Sequence, residues 1–253
     1  MKQFLYETHL HTSQASACGK VKGADYIDYM KSKGYQGIIV TDHFFNGNSC
    51  VPYNLFWKDR VEWYCSGYED ALEASKGKDF DVLFGIEFNF RGDEYLIYGV
   101  DKKWLLDNDD ILRLSREEVY KRVHQGGGVM IQAHPYRDRY YISEIILTPG
   151  ICDAIEIYNA ANPDNENALG YHYALELNVP MTSGSDIHFF YEGAMGGMLL
   201  PTRISSPSEY AELVMKNDTV PVRVLDGKNE AVTDITELTV PVGDPTLPVK
   251  YGR

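Results

Sequence analysis

Phe4-Leu5-Tyr6-Glu7-Thr8-His9-Leu10-His11 is a strand-like run that ends in two histidines spaced by two residues. A β-strand repeats every two residues, so both imidazoles point to one face. Near the far end of the chain, Ser185-Asp186-Ile187-His188 repeats the arrangement after another short apolar run, with a carboxylate in place of the first imidazole. Two such pairs on two strand ends point to a metal site, because imidazole and carboxylate are the common ligands of Zn, Mn and Fe(II).

Between the pairs, strand-like and helix-like segments alternate. Strands are expected over 4–8, 37–41, 81–90, 94–100, 129–133, 154–158 and 179–183. Helices are expected over 24–33, within 57–75 and over 166–177. Two more are announced by capping boxes, Ser115-Arg116-Glu117-Glu118 and Ser206-Pro207-Ser208-Glu209, the second with proline at the first helical position. Alternation of this kind implies an α/β fold with a mainly parallel sheet, closed or nearly closed into a barrel. No internal repeat or low-complexity linker interrupts it. A single domain is expected, with the barrel over 1–224 and a proline-dotted arm over 225–253 packed against it.

The chain has 253 residues, enough for one large α/β domain. Its 37 acidic against 24 basic residues give a net charge of −13, which argues against a general nucleic-acid binder. No segment approaches the ~20 apolar residues of a membrane span, and the start has no apolar run of signal-peptide length. Cys18, Cys50, Cys65 and Cys152 are scattered without a CxxC pair. The expectation is a soluble cytoplasmic protein with reduced thiols and no membrane partner. Its oligomeric state is left open.

The strand exits carry the chemistry. His9 and His11 follow the first strand, Asp42 and His43 the second, Glu87 lies in the third, His134 follows the fifth, and Asp186 and His188 follow the last. In a parallel barrel these exits share one rim, where such folds place their sites. His9, His11, His43, Glu87, His134, Asp186 and His188 are too many ligands for one ion, so two or three divalent ions (Zn, Mn or Fe) bridged by a carboxylate such as Glu87 are expected. His124, in the last turn of its helix, and His172, within a helix, read as structural. Gly126-Gly127-Gly128 ends a helix and enters a strand, the reverse of a phosphate loop.

HLHTSQASACG, VTDHFF, GIEFNF, QAHPYR and SGSDIH resemble, in order and spacing, the motifs of the PHP (polymerase and histidinol phosphatase) family over nearly all of residues 1–200. The resemblance implies a distorted seven-stranded (β/α)7 TIM-like barrel and a metal-dependent phosphoesterase. It implies that His9, His11, Glu87 and Asp186 hold a first metal, that Glu87 bridges to a second bound also by His134, and that His43 and His188 hold a third. The sequence departs from the family pattern twice. No histidine or aspartate follows the first pair, where Cys18 is a soft substitute, and Leu96 stands by offset where trinuclear members carry a histidine.

The expected reaction is hydrolysis of a small-molecule phosphate ester by a metal-bound hydroxide. Asp186 is a candidate at both the metal and the catalytic step. Arg137, in the HPYR loop, and Arg203, after the strand-like run MGGMLLPT, are candidate phosphate anchors through their planar forks. Asp42 is a candidate to orient His43. Two alternatives stand beside this reading. One is a non-catalytic metal-binding regulatory domain. The other is an amidohydrolase-type hydrolase, against which the absence of a lysine at a bridging strand end counts.

Overall fold

A computed structural model of the chain describes residues 2–233 and 242–252. Its strands form two main sheets. The first contains β1 (Phe4–Leu10), β2 (Gly37–Val40), β3 (Asp81–Phe84), β10 (Met195–Leu200), β11 (Val220–Leu225) and β12 (Lys228–Ala231), in the order β12-β11-β10-β1-β2-β3. The second contains β4 (Ile86–Phe90), β5 (Asp93–Tyr98), β6 (Val129–Ala133), β8 (Ala154–Asn159) and β9 (Met181–Gly184), in the order β4-β5-β6-β8-β9. A further pair joins β7 (Ile145–Leu147) to β13 (Val249–Tyr251).

Six α-helices lie among the described residues: α1 (Gly23–Ser32), α2 (Trp57–Ser75), α3 (Lys102–Asp107), α4 (Arg116–Gln125), α5 (Asp164–Leu177) and α6 (Pro207–Met215). Both expected capping boxes are present, with Ser115 and Ser206 accepting from the backbone of Glu118 and Glu209. Helix α2 buries Val61, Tyr64, Cys65 and Ala71, the spacing of one apolar stripe.

The fold is therefore mixed α/β, and a closed parallel barrel is not what joins its strands. β1, β2 and β3 run parallel, as do β6, β8 and β9, but β4-β5-β6 is an antiparallel meander, and β10 enters antiparallel to β1. The reason for the meander is the short turn at Arg91 and Gly92, both at positive φ, which is far too short for the crossover a parallel pair needs. The single strand expected over 81–90 breaks at Gly85. There a Cβ would lie 2.9 Å from Thr41 Cγ2, and the chain passes from one sheet to the other.

The sheets meet along two seams made of isolated bridges. At one, Glu87 N donates to Asp42 O (3.1 Å) and Phe44 N donates to Glu87 O (2.8 Å). At the other, His11 N donates to Ile187 O (2.9 Å) and Ile187 N to His9 O (3.2 Å). Between the seams the inner faces of both sheets pack Tyr6, Ile39, Leu83, Leu96, Tyr98, Ile131 and Met198 into one core, and Tyr210, Ala211 and Val214 of α6 pack against its lower end. Of the segment expected to form an arm, Leu225 and Lys228–Ala231 belong to an edge hairpin of the first sheet, and β13 lies beside β7. Residues 234–241 and 253 of that segment lie outside the described residues.

At the second seam β10 packs over β9 so closely that a Cβ on Gly196 would lie 2.1 Å from Gly184 O. Backbone cannot swing aside as a side chain does. Gly196→Ala is expected to cost about 1–3 kcal/mol through overpacking, read as a lower urea midpoint at unchanged m. A midpoint equal to that of the parent protein would show that the strands are free to separate.

Candidate metal centre

The pleat explains which side chains reach the upper end of the core. Along β5 the residues 94, 96 and 98 share a face: Leu96 and Tyr98 lie in the inner core, and Glu94, nearest the strand exits, reaches the site. Along β8, Ala154 lies in the core and Glu156 reaches His9. In β1 a register shift between Glu7 and Leu10 accompanies the change that brings His9 and His11 onto the same inner side as Tyr6.

Glu87 sits at the middle, 1% exposed. Its Oε1 is 3.1 Å from His9 Nε2 and 3.2 Å from His134 Nε2, and its Oε2 is 2.5 Å from His43 Nδ1 and 3.5 Å from His11 Nε2. Asp186 Oδ1 lies 3.1 Å from His11 Nε2 and 3.5 Å from His9 Nε2. Glu94 lies 3.8 Å from His43 Nδ1 and 3.7 Å from His134 Nε2. His188 stacks on His11 with ring centroids 4.2 Å apart. All seven expected ligands are thus brought together. Their donor atoms fall into four overlapping triplets: His9–His11–Asp186, His9–Glu87–His134, His43–Glu87–Glu94 and His11–His43–His188.

Outer contacts fix the imidazoles. His9 Nδ1 donates to Glu156 Oε1 (2.8 Å), His11 Nδ1 to Ser16 Oγ (3.1 Å), and His188 Nδ1 to the backbone oxygen of Asp186 (2.8 Å). In this tautomer, assigned from the hydrogen-bond network, each ring turns the lone pair of its Nε2 to the centre. Ser16 Oγ in turn donates to Asp42 Oδ1 (2.6 Å), and Asp42 also accepts from Thr12 N and Oγ1. Asp42 therefore supports the ring of His11 through Ser16, and it reaches His43 only at the backbone, whose N–H donates to the same hydroxyl.

Four buried atoms facing one another, His11 Nε2, His43 Nδ1, Glu87 Oε2 and Asp186 Oδ1, have no properly directed hydrogen bond. Buried polar atoms without partners are costly, and a cluster of them needs a cause. Divalent cations satisfy nitrogen and oxygen lone pairs together, so the residues fit bound metal.

The electrostatics agree. Burial alone would raise Glu87, but His43 and His9, both pushed up by the surrounding carboxylates, hold it well below the usual carboxylate range. Burial likewise opposes ionisation of Asp186, and Arg137 with His9 holds it low. His11 is pushed down by burial and by His188 and His43. For Cys18, burial raises the thiol, but hydrogen bonds to His188 and His43 outweigh it and bring it down to about 6. The thiol of Cys18 thus lies against two of the expected ligands, at the position where the first motif lacks a histidine or aspartate.

Backbone geometry is unusual at two ligands. His134 has φ +29° and Asp186 φ +54°, a region that residues with side chains seldom adopt, and one that collects at functional sites.

Two expectations about arginine separate. Arg137 is at the site: its Nη2 donates to Asp186 Oδ2 (2.5 Å) and Asn159 Oδ1 (3.0 Å), and its Nε to Asn162 Oδ1 (2.9 Å). Arg203 is not. It pairs with Asp81 (2.7 Å) and Asp79 at the entry of β3, the opposite end of the strands from the ligands, because the loop into α6 turns beneath the core. Glu94 and Glu156 were missed in the sequence. Glu94 carried a signal, since it shares a strand face with Leu96, one pleat closer to the rim. Glu156, within the apolar run AIEIY, had the weaker signal of a lone carboxylate in a buried strand.

No family model matches the sequence, and no curated protein matches it. Solved structures do resemble it. A two-domain protein from Bacteroides vulgatus, containing a predicted PHP-like metal-dependent phosphoesterase, superposes with TM-score 0.64 at 16% identity over 87% of this chain. The fold is that of PHP-like metal-dependent phosphoesterases. The chain spans 64% of the length of that two-domain protein. A lesion-specific endonuclease from Pyrococcus furiosus gives 0.53 at 13% identity, covering 85% of this chain and 56% of its own. An amidohydrolase from Chromobacterium violaceum with bound sulfate and no metal gives 0.51 at 14%, covering 72% and 87%. No helix among the described residues is long and apolar enough to cross a membrane.

Glu156→Ala frees His9 Nδ1 and the ring with it, and is expected to weaken metal affinity 10- to 100-fold, measured by competitive chelator titration. Unchanged affinity would remove Glu156 from the support of the centre. In metal-free protein Cys18 should be alkylated as a thiolate already above about pH 6, with the rate falling below it. Added metal should slow that reaction, monitored by mass spectrometry, while Cys65 and Cys152, each pushed up to about 12 by burial, stay unmodified at neutral pH. Equal labelling of Cys18 with and without metal would place the thiol outside the centre.

Proposed function

We propose that this chain is a PHP-family phosphoesterase that hydrolyses a small phosphate ester with two or three divalent ions, Zn, Mn or Fe, held between the two sheets of its mixed α/β fold. The observation that supports it is the cluster of unpartnered nitrogen and oxygen atoms around Glu87, with Arg137 at its edge. His9, His11 and Asp186 would hold one ion, Glu87 would be shared between it and a second with His134, and His43 with His188 would take a third. Glu94 is added to this set as a ligand beside Glu87 and His43. Bound ions supply positive charge against the phosphoryl oxygens and acidify water.

The chain's own residues do the rest. Glu156 and Ser16 hold the rings of His9 and His11 in the tautomer that presents Nε2. Arg137 fixes Asp186 through Nη2 and is braced by Asn159 and Asn162, which leaves Nη1 for an oxygen of the phosphoryl group. A guanidinium held this way meets the growing charge without reorganising. Burial of the centre keeps bulk water from screening that charge. The net charge of −13 favours a small ester over a nucleic acid, whose backbone it would repel. The amidohydrolase likeness carries less weight, since no lysine is among the buried polar residues of the described chain.

The test is phosphate release from a panel of monoesters and diesters by protein loaded with Mn or Zn. Arg137→Lys keeps the charge but loses the fork, and is expected to lower kcat/KM at least 100-fold with metal content retained. Arg203→Ala should leave kcat/KM within twofold. Metal bound in full with no ester hydrolysed would instead favour a regulatory metal-binding domain.

A further inference from the structure

Beside the centre lies a cavity of about 350 Å³ whose wall includes Asp186 and His188. Continuity with the centre makes its contents the neighbour of any phosphoryl group held there. The remaining walls are apolar: Ala160, Ala161 and Ala194 leave the space open, and Phe189 and Tyr191 supply rings.

Apart from the hydroxyl of Tyr191, the wall's polar groups at Ser185, Ala160, Ala161 and His188 are already engaged. Ser185 Oγ is bound to Glu7 and accepts from Gly196 N (2.8 Å). Ala160 N donates to Gly184 O (3.1 Å), and Ala161 N to Asn159 Oδ1 (3.0 Å). His188 Nδ1 is held by the backbone of Asp186. A polyhydroxylated group would therefore lose more hydrogen bonds to water than this wall could replace, which is costly.

The aromatic wall is braced from behind. Phe190 stacks on Tyr29 of α1 with ring centroids 4.5 Å apart and meets Tyr26 edge-on at 6.0 Å. Tyr29 Oη donates to Tyr191 O (2.5 Å) and accepts from Tyr191 N (2.9 Å), and Lys33 pairs with Glu192 (2.7 Å). With Phe190 tied to the helix, its neighbours Phe189 and Tyr191 are held at the cavity as half-exposed rings that no other part of the described chain covers. Flat apolar walls with rings favour a planar aromatic guest.

We propose that this cavity seats the leaving group of the substrate, and that the leaving group is aryl, so the substrate class is an aryl phosphate monoester. This rests on the phosphoesterase reading above. In the reaction the oxygen of water forms the new bond to phosphorus, the bond from phosphorus to the aryl oxygen breaks, and that oxygen takes up a proton from water. The products are a phenol and inorganic phosphate.

The test compares 1-naphthyl phosphate with glycerol 2-phosphate on the metal-loaded protein, together with Ala161→Leu and Ala194→Leu, two fillings of the cavity that touch no ligand. Wild type should prefer the naphthyl ester at least tenfold in kcat/KM. Each filling should remove that preference by lowering kcat/KM for the naphthyl ester more than for glycerol 2-phosphate, with bound metal unchanged. A wild-type preference for glycerol 2-phosphate, or fillings that lower both esters equally or neither, would overturn the proposal. If no ester is hydrolysed, the phosphoesterase reading fails by itself, and the cavity is judged by calorimetry. Naphthylmethylphosphonate should then bind at least tenfold tighter than methylphosphonate, and the fillings should abolish the difference. Equal affinities would overturn the assignment of an aromatic guest.

Discussion

Glu87 is the residue on which both the sheets and the site depend. Its backbone stitches one seam, with N–H to Asp42 and C=O to Phe44, while its carboxylate gathers imidazoles from His9, His11, His43 and His134. A carboxylate this deeply buried is costly to leave uncompensated. The compensation comes from both sides of the fold: His9, His11 and His43 leave the first sheet, and His134 leaves the second. The seams that lack ladder hydrogen bonds are the places where ligands face each other. Bound cations would therefore tie together two sheets that the backbone joins only by single bridges.

The two ligands with positive φ belong to the same constraint. His134 follows its strand directly and Asp186 follows its strand after Ser185, and an ordinary extended conformation would carry the chain on past the rim. The left-handed turn brings the side chain back over the core. Holding such a conformation costs of order 1–3 kcal/mol, and the surroundings supply it: His134 N donates to Glu156 Oε2 (3.1 Å), and Asp186 is clamped by Arg137. The same Glu156 thus fixes the ring of His9 through one oxygen and the backbone of His134 through the other.

Much of the site was legible because strand exits are local signals. HLH, TDH, AHP and SDIH each place polar ligands directly after an apolar run, and the structure brings all of them together. Periodicity along a strand says nothing about the direction of its neighbour, so the expectation of a closed parallel barrel went further than the pattern; the three residues between 90 and 94 are too few for a parallel crossover and required an antiparallel pair there. Leu96 was reached by counting along the strand from a family pattern, whereas the pleat places Glu94 at the rim. Arg203 was chosen for its chemistry, and nothing within one strand reveals which end of the sheet a following loop will occupy. Asp42 was read through its sequence neighbour His43, but its partners Thr12 and Ser16 come from another loop.

The acidic residues around the centre divide by distance from the imidazoles. Glu87, Asp186 and Glu156 are held ionised against their burial by imidazoles, with Arg137 adding to the hold on Asp186. Further out, burial dominates: Glu7 is pushed up to about 7 and Asp42 to about 6, and both serve as hydrogen-bond acceptors for the backbone and hydroxyls that shape the loops. Glu94 breaks the pattern. It stands among the inner groups, yet burial and the neighbouring Glu87 push it up, because His134 and His43 do not offset them. Two carboxylates this close ionise together only beside added positive charge. The other inner acids are balanced by the protein itself, whereas for Glu94 the protein's own groups fall short, and a cation held at the His43–Glu87–Glu94 triplet would supply the rest.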